Sequence, residues 1–306
     1  MKSLRNYMKI GIIHSMAFPS SFNNKESLIG SFRQIAMDDY FDVIEIGQIK
    51  DLEAREQIKQ LLEVSKLTTS YAGHSRLLSN GLNINDLNEE VRAKAVEELK
   101  KGIDEAYYMG AVDFSFLSGH YVEEKKEEAL EALVKSTSEL CSYAAQKGNM
   151  VVLLEVFDYD IDKKSILGPV ELVKRYAKQV SREHKNFGIM VDLSHLPQLR
   201  ETPRQALLPI KEYVRHVHIG NAVVKDCSME AYGDLHPRFG FPQSENDVDE
   251  LVEFLKVLIE IGYLNIKNPP IVSFEVKPRL YEDEMLVIAG SKRVLNEALA
   301  KVMEED

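Results

Sequence analysis

A chain of 306 residues, 44% hydrophobic and 28% charged, is long enough to bury a sizeable core and too apolar to be disordered. A net charge of -11 disfavours nonspecific contact with nucleic acid or an anionic membrane, and no apolar run approaches the roughly 18 residues that a bilayer span needs. Two cysteines, Cys141 and Cys227, are too few for a disulfide framework, and the apolar patch of MKSLRNYMKIGIIHS is broken early by His14, so no signal peptide is expected and the location is read as cytoplasmic.

In chain order, short β-rich apolar runs alternate with stretches of helical period. MKIGIIHS (8–15) ends at His14, FDVIEIG (41–47) carries Glu45, and KLTTSYAGH (66–74) ends on His74. A helix follows over 87–109, where Leu87, Val91, Val96, Leu99, Ile103 and Ala106 mark one face. AVDFSFLSG (111–119) precedes His120, and a second helix covers 123–146 behind the solvated start EEKKEE. MVVLLEVF (150–157) carries Glu155, FGIMVDLS (187–194) carries Asp192 just before His195, and VRHVHIG (214–220) holds His216 and His218. The longest stretch without a pattern, about 219–244, is followed by a helix over 246–262 whose acidic first turn suits the helix dipole. PPIVSFEVK (269–277) closes the series with Glu275 and Lys277.

Near-continuous apolar strands alternating with helices imply a parallel sheet covered on its faces, and eight such units predict a (β/α)8 barrel as one domain over 1–306. A doubly wound open sheet binding a dinucleotide would need a glycine-rich first turn, which GIIHSMAF lacks. Barrel enzymes hold their chemistry at the carboxyl ends of the strands. Six of the eight histidines lie at strand ends or in the long loop after strand seven: His14, His74, His120, His195, His218 and His236. Alternation puts Glu155 on one face with Leu153 and Phe157, and Glu275 with Ile271 and Ser273. His216 is expected as a hydrogen-bonded histidine of the interior, while His14 and Glu45 stay unassigned. Two Glu, one Asp and one His converging on one rim would repel without a cation or a proton, and they suit Mn2+, Mg2+, Co2+ or Zn2+. Arg238, in YGDLHPRFGFP (232–242), is a candidate for a substrate carboxylate or phosphate. Lys277 shares the inward parity of Glu275 and is a further substrate candidate.

The strand-end segments LLEVF, VDLSH, HVHIG and SFEVK resemble those of the xylose-isomerase-like TIM barrels, a group that includes sugar isomerases, sugar 3-epimerases and endonuclease IV. The resemblance implies one divalent metal ion bound by Glu155, Asp192, His218 and Glu275. Glu155 and Glu275 would double as catalytic acid and base, with His195 beside the substrate. It implies a metal-dependent isomerase or epimerase of a ketose, sugar acid or sugar phosphate working through an enediolate, and the same chemistry also serves a lyase on a keto sugar acid. Endonuclease IV, a zinc phosphodiesterase, would match a further His at His74 and an Asp-x-His pair at Asp234 and His236. Its His-Pro-Gly after strand four is absent, however, and His120 is displaced. One metal is preferred, with His74, His195 and His236 as donors to a small sugar and no nucleic acid or membrane partner. A non-catalytic sugar-binding barrel would look the same, and a homo-oligomer stays open.

Overall fold

The computed structural model describes residues 4–304; residues 1–3 and 305–306, part of the expected span and, at the start, of the MKSLRNY segment, lie outside the described residues. Every expected apolar run contains a strand: β1 (Lys9–Ile13), β2 (Val43–Ile46), β3 (Thr68–Ala72), β4 (Asp113–Leu117), β5 (Val151–Glu155), β6 (Phe187–Asp192), β7 (Val214–Gly220) and β8 (Ile271–Glu275). All pairings are parallel, and β8 pairs with β1 to close the barrel in sequence order. This is the (β/α)8 architecture expected from the alternation of runs.

Helices Lys25–Ala36, Leu52–Ser65, Glu89–Tyr108, Lys126–Lys147, Val170–Glu183, Val248–Glu260 and Glu284–Glu304 surround it. Their starts are chemically marked. The side chains of Asn24, Asp51 and Asn88 each accept from a backbone N–H of the first turn, at Ser27, Ala54 and Glu90, satisfying donors that the helix itself cannot. The unit after β6 departs from the expected regularity. Pro197, Pro203 and Pro209 break that stretch, and two five-residue helices, His195–Leu199 and Pro203–Leu207, replace one long one.

The large apolar core lies between the barrel wall and its helices, where Ile10, Ile44, Tyr71, Phe114, Leu154, Ile189, Val217 and Phe274 pack outward from consecutive strands. The inside of the barrel is more polar. His216 Nε2 lies 2.7 Å from Glu45 Oε1 and its Nδ1 3.3 Å from Asp113 Oδ2, while Ser70 donates to Asp113, all fully or nearly fully buried. The strand period therefore splits the sequence into an apolar set facing the helices and a partly polar set facing the axis. The axial set leads upward to the mouth.

Candidate metal centre

Glu155, Asp192 and Glu275 are the last residues of β5, β6 and β8, and His218 stands two before the end of β7. One ligand atom from each of these four lies within 4.8 Å of the others. His218 Nδ1 is 2.7 Å from Glu275 Oε2 and 3.4 Å from Glu155 Oε1. The approach of β7 to β8 is helped by Gly220, which pairs with Glu275; a Cβ there would come within 2.5 Å of the Glu275 carbonyl oxygen. A side chain at this point would push the strands apart just where His218 and Glu275 must meet.

Each of the four turns one atom to a neighbour outside the group and one toward the other three. Glu155 Oε2 lies 2.9 Å from His74 Nε2, and Asp192 Oδ1 accepts from the Ser194 N–H at 2.7 Å. His218 Nε2 faces both oxygens of Glu45 at 3.2 Å, and Glu275 Oε1 lies 3.5 Å from His236 Nε2. The opposite atoms, Glu155 Oε1, Asp192 Oδ2, His218 Nδ1 and Glu275 Oε2, are buried without a hydrogen-bond partner. Unsatisfied buried polar atoms are costly and uncommon, and four of them facing one another are an arrangement that could hold a cation. Three carboxylate oxygens and one imidazole nitrogen are donors that a small divalent ion accepts, and the Glu45 contact sets the histidine tautomer with its lone pair inward.

The electrostatics agree with this demand. Burial alone would raise the Glu155 carboxyl, but the charges of His218 and His74 outweigh it and hold Glu155 below the usual range. Burial raises Asp192 to about 6 against the pull of His195, with Glu275 adding to the rise. His218 would be lowered by burial, yet Glu45, Glu155 and Glu275 drive it well above its ordinary value. Of the three, His218 is the group driven toward its protonated form, facing carboxylates that no lysine or arginine among the described residues neutralises.

A second group adjoins the first and shares Asp192. Asp192, His195 and His236 also bring ligand atoms within 4.8 Å of one another. His195 donates from Nδ1 to the Val156 carbonyl at 2.7 Å, which turns Nε2 toward Asp234 Oδ1 at 2.9 Å. His236 Nε2 lies 3.0 Å from that same oxygen, and Gln198 Nε2 donates to it at 3.3 Å. The other oxygen, Asp234 Oδ2, is taken by the Lys163 ammonium at 2.6 Å. Burial opposes protonation of His195 and His236, but Asp234 and Asp192 help to lift His195 to about 10, and Glu275 and Asp234 lift His236 to about 9. An extended backbone would point Asp234 and His236 the same way. Instead, His236 takes a left-handed φ of 46°, a strained conformation for a histidine that folds its ring back onto Asp234.

Above these groups opens a cavity of about 450 Å³ lined by His74, His236, Lys163 and Lys277 among others. His195 does not line this cavity: it is buried behind Phe157, with ring centroids 4.3 Å apart, beside Asp192 and Leu199. Arg238 is a correction: its Nε donates to Glu282 at 2.9 Å and it lines a separate outer cavity with Tyr281, so it does not reach this pocket. His120 is also elsewhere, bridged to Ser165, and His14 is buried beside Phe32 with its Nε2 2.8 Å from Ser31 Oγ. Sequence reasoning missed the roles of Glu45 and Lys163. Glu45 carried a signal, an acid at inward parity on an apolar strand; Lys163, in the polar loop DYDIDKKS, carried none.

A family model described as xylose isomerase-like TIM barrel matches residues 34–291. No curated protein sequence matches significantly. Among solved structures, the chain is similar to a D-tagatose 3-epimerase-like protein (22% identity, TM-score 0.73, 97% of this chain and 99% of that one). It is also similar to a D-psicose 3-epimerase from Clostridium cellulolyticum H10 crystallised with D-tagatose (17%, 0.69, 96% and 99%). A third similar structure is IolI protein with a bound zinc atom (15%, 0.72, 96% and 99%). Among the described residues no helix is long and apolar enough to cross a membrane.

Proposed function

Because the chain belongs to the xylose isomerase-like TIM barrel family, we propose that it holds one divalent metal ion through Glu155, Asp192, His218 and Glu275 and isomerises or epimerises a ketose, a sugar acid or a sugar phosphate. The observation that carries this reading is the set of four buried atoms, one from each residue, that have no hydrogen bond and lie within 4.8 Å of one another. When bound, the ion would polarise the hydroxyl and carbonyl oxygens of the sugar and so acidify the C–H between them. The epimerases among the similar structures, and the zinc bound in IolI protein, support the reading.

The residues of this chain supply the rest. Glu155 and Glu275, on β5 and β8, approach the substrate carbon from two sides, so one can take its proton and the other return one. Each has an imidazole beside it: His74 lies 2.9 Å from Glu155 Oε2, and His236 3.5 Å from Glu275 Oε1. His74, His236 and Lys277 line the cavity and face the sugar, and His195, buried behind them, holds Asp234 at 2.9 Å. The apolar side chains of Ile13, Met16, Phe22 and Phe157 cover the same space and keep water from the exposed carbanion. The partner so proposed is a small molecule in the cytoplasm, with no nucleic acid and with a homo-oligomer left open.

A second reading, a zinc phosphodiesterase, is favoured by one observation: Asp192, His195 and His236 form a second group able to hold an ion. It is weaker because Lys163 already neutralises Asp234 and because a net charge of -11 repels a phosphate backbone. Metal analysis of the dialysed protein, followed by turnover of ketoses and keto sugar acids in deuterated water, tests the choice. One equivalent of metal and deuterium in the carbon skeleton are expected. Turnover without exchange would indicate a hydride shift, release of water or carbon dioxide a lyase, and several tightly held zinc ions the phosphodiesterase.

A further inference from the structure

The cavity has two unlike walls. On the side of β5 to β7, every charged group is engaged with another. On the opposite side, Ser15, Gln48, Lys50, Ser75, Ser79 and Lys277 line it from the loops after β1, β2, β3 and β8. Because the barrel closes in sequence order, those four loops are consecutive around the rim and form one arc. Among the described residues, none of the six side chains has a hydrogen bond or ion pair within the protein.

The open valences on this arc are not explained by a shortage of acids. The chain has 49 acidic residues against 38 basic ones, and other cations near the rim are taken: Lys163 by Asp234, Arg238 by Glu282, and Arg279 by the carbonyls of Leu235 and Lys277. Two ammonium groups on the wall of this concave space, Lys50 exposed and Lys277 half-buried, nevertheless have no carboxylate partner. The metal quartet offers no spare positive charge to a substrate anion, since its three carboxylates already outweigh a divalent ion. An anion in this cavity would need cations of its own.

From this we infer that the arc is a subsite for an anionic group, a phosphate or a carboxylate, on the end of the sugar remote from the reacting carbons. Lys50 and Lys277 supply the charge, and the serine hydroxyls and the Gln48 amide supply neutral donors. The inference rests on the metal-dependent ketose reading and deepens it by naming the substrate class. D-tagatose and D-psicose, named for the similar structures, carry no charge, so the chain departs from them here.

The test is calorimetric titration of the manganese-loaded protein with D-fructose, D-fructose 6-phosphate and D-fructuronate, a ketose with a carboxylate at its far end. One or both anionic probes should bind about ten- to a hundredfold more tightly than fructose, the range expected for charge-assisted hydrogen bonds, and which of them does so identifies the group. The preference should shrink toward unity in Lys50→Met/Lys277→Met, persist in Lys277→Arg, and persist in Lys174→Met, a control on the outer helix Val170–Glu183. Equal affinity for the three probes, or an undiminished preference in the double variant, overturns the subsite and leaves the metal-dependent reading standing. Failure to bind manganese or any of the probes overturns both.

Discussion

Two clusters of histidine and carboxylate share Asp192, yet they meet their charge in different ways. In the first, Glu155, Asp192, His218 and Glu275 each turn one buried atom, without a hydrogen bond, toward the others, and His218 Nδ1 faces Glu275 Oε2 at 2.7 Å. In the second, Asp234 is the hub, and its oxygens are met by His195, His236, Gln198 and the Lys163 ammonium. Residue types alone would make both look like metal sites. The difference is a counter-ion: in the second cluster the Lys163 ammonium lies 2.6 Å from Asp234, whereas among the described residues no lysine or arginine pairs with the four of the first. A cluster with an internal cation is suited to orienting neutral donors toward a substrate, whereas one without is suited to holding a metal.

The largest expected effect lies in the first cluster. Glu155→Gln and Glu275→Gln keep the shape of the side chain and remove the proton acceptor. Each should lower kcat by about 10²–10⁴-fold or more, with circular dichroism and the unfolding midpoint little changed. A loss of folded protein in both variants would mean that these carboxylates serve packing. Smaller but still large is the effect of Glu45→Gln. Glu45 meets His218 Nε2 with both oxygens, and an amide can present its NH2 group and reverse the tautomer. Loss of such a supporting contact costs about 10–100-fold in metal affinity, readable by competition with a chelating dye. An unchanged affinity would show that the barrel wall alone orients His218.

The pH dependence separates metal-free from metal-loaded protein. Without metal, His216 and His236 titrate at about 9 and His195 at about 10, against 6.5 for an unperturbed histidine. In each case burial opposes the proton and the surrounding carboxylates outweigh it. Folded-state values raised above unfolded ones mean that the native state holds extra protons between those limits. Their contribution to stability is complete below about pH 6.5 and is lost as pH rises through 9 to 10. Unfolding midpoints of chelator-treated protein should therefore fall over that window. In the loaded protein the ion takes the place of the proton on His218, and the fall should be shallower. Parallel curves for the two forms would deny that protons and metal compete for one site.

How much of this could be read from the chain depends on what set each position. The strands were legible because a barrel covered by helices demands continuous apolar runs, and each expected run contains its strand. Glu155, Asp192, His218 and Glu275 stood at strand ends, and the resemblance to the xylose-isomerase-like barrels picked them out as one set. Loops offer no such period. Arg238 was expected at the pocket, yet the left-handed turn at His236 intervenes and sends it to Glu282. Lys163 was invisible because its place is set by Asp158, whose carboxylate accepts the backbone N–H groups of Ile161, Asp162 and Lys163 and curls the loop over the site.

The smallest expected effect tests the comparison most directly. An ion among Asp192, His195 and His236 would lie close to the Lys163 ammonium, and like charges about 5 Å apart repel by roughly 3 kcal/mol per unit pair at an effective dielectric constant near 20. It would also have to displace protons from two imidazoles whose values are raised to about 10 and about 9. The wild-type protein should therefore retain one equivalent of zinc after exhaustive dialysis. Lys163→Met removes the ammonium and leaves Asp234 Oδ2 open, so this variant should take up a second, weaker equivalent, seen in titration and lost on dialysis. Lys163→Arg, which keeps the charge, should not. Two equivalents surviving dialysis in the wild type would mean that the second cluster also waits for a metal, and the distinction between the two clusters would fail.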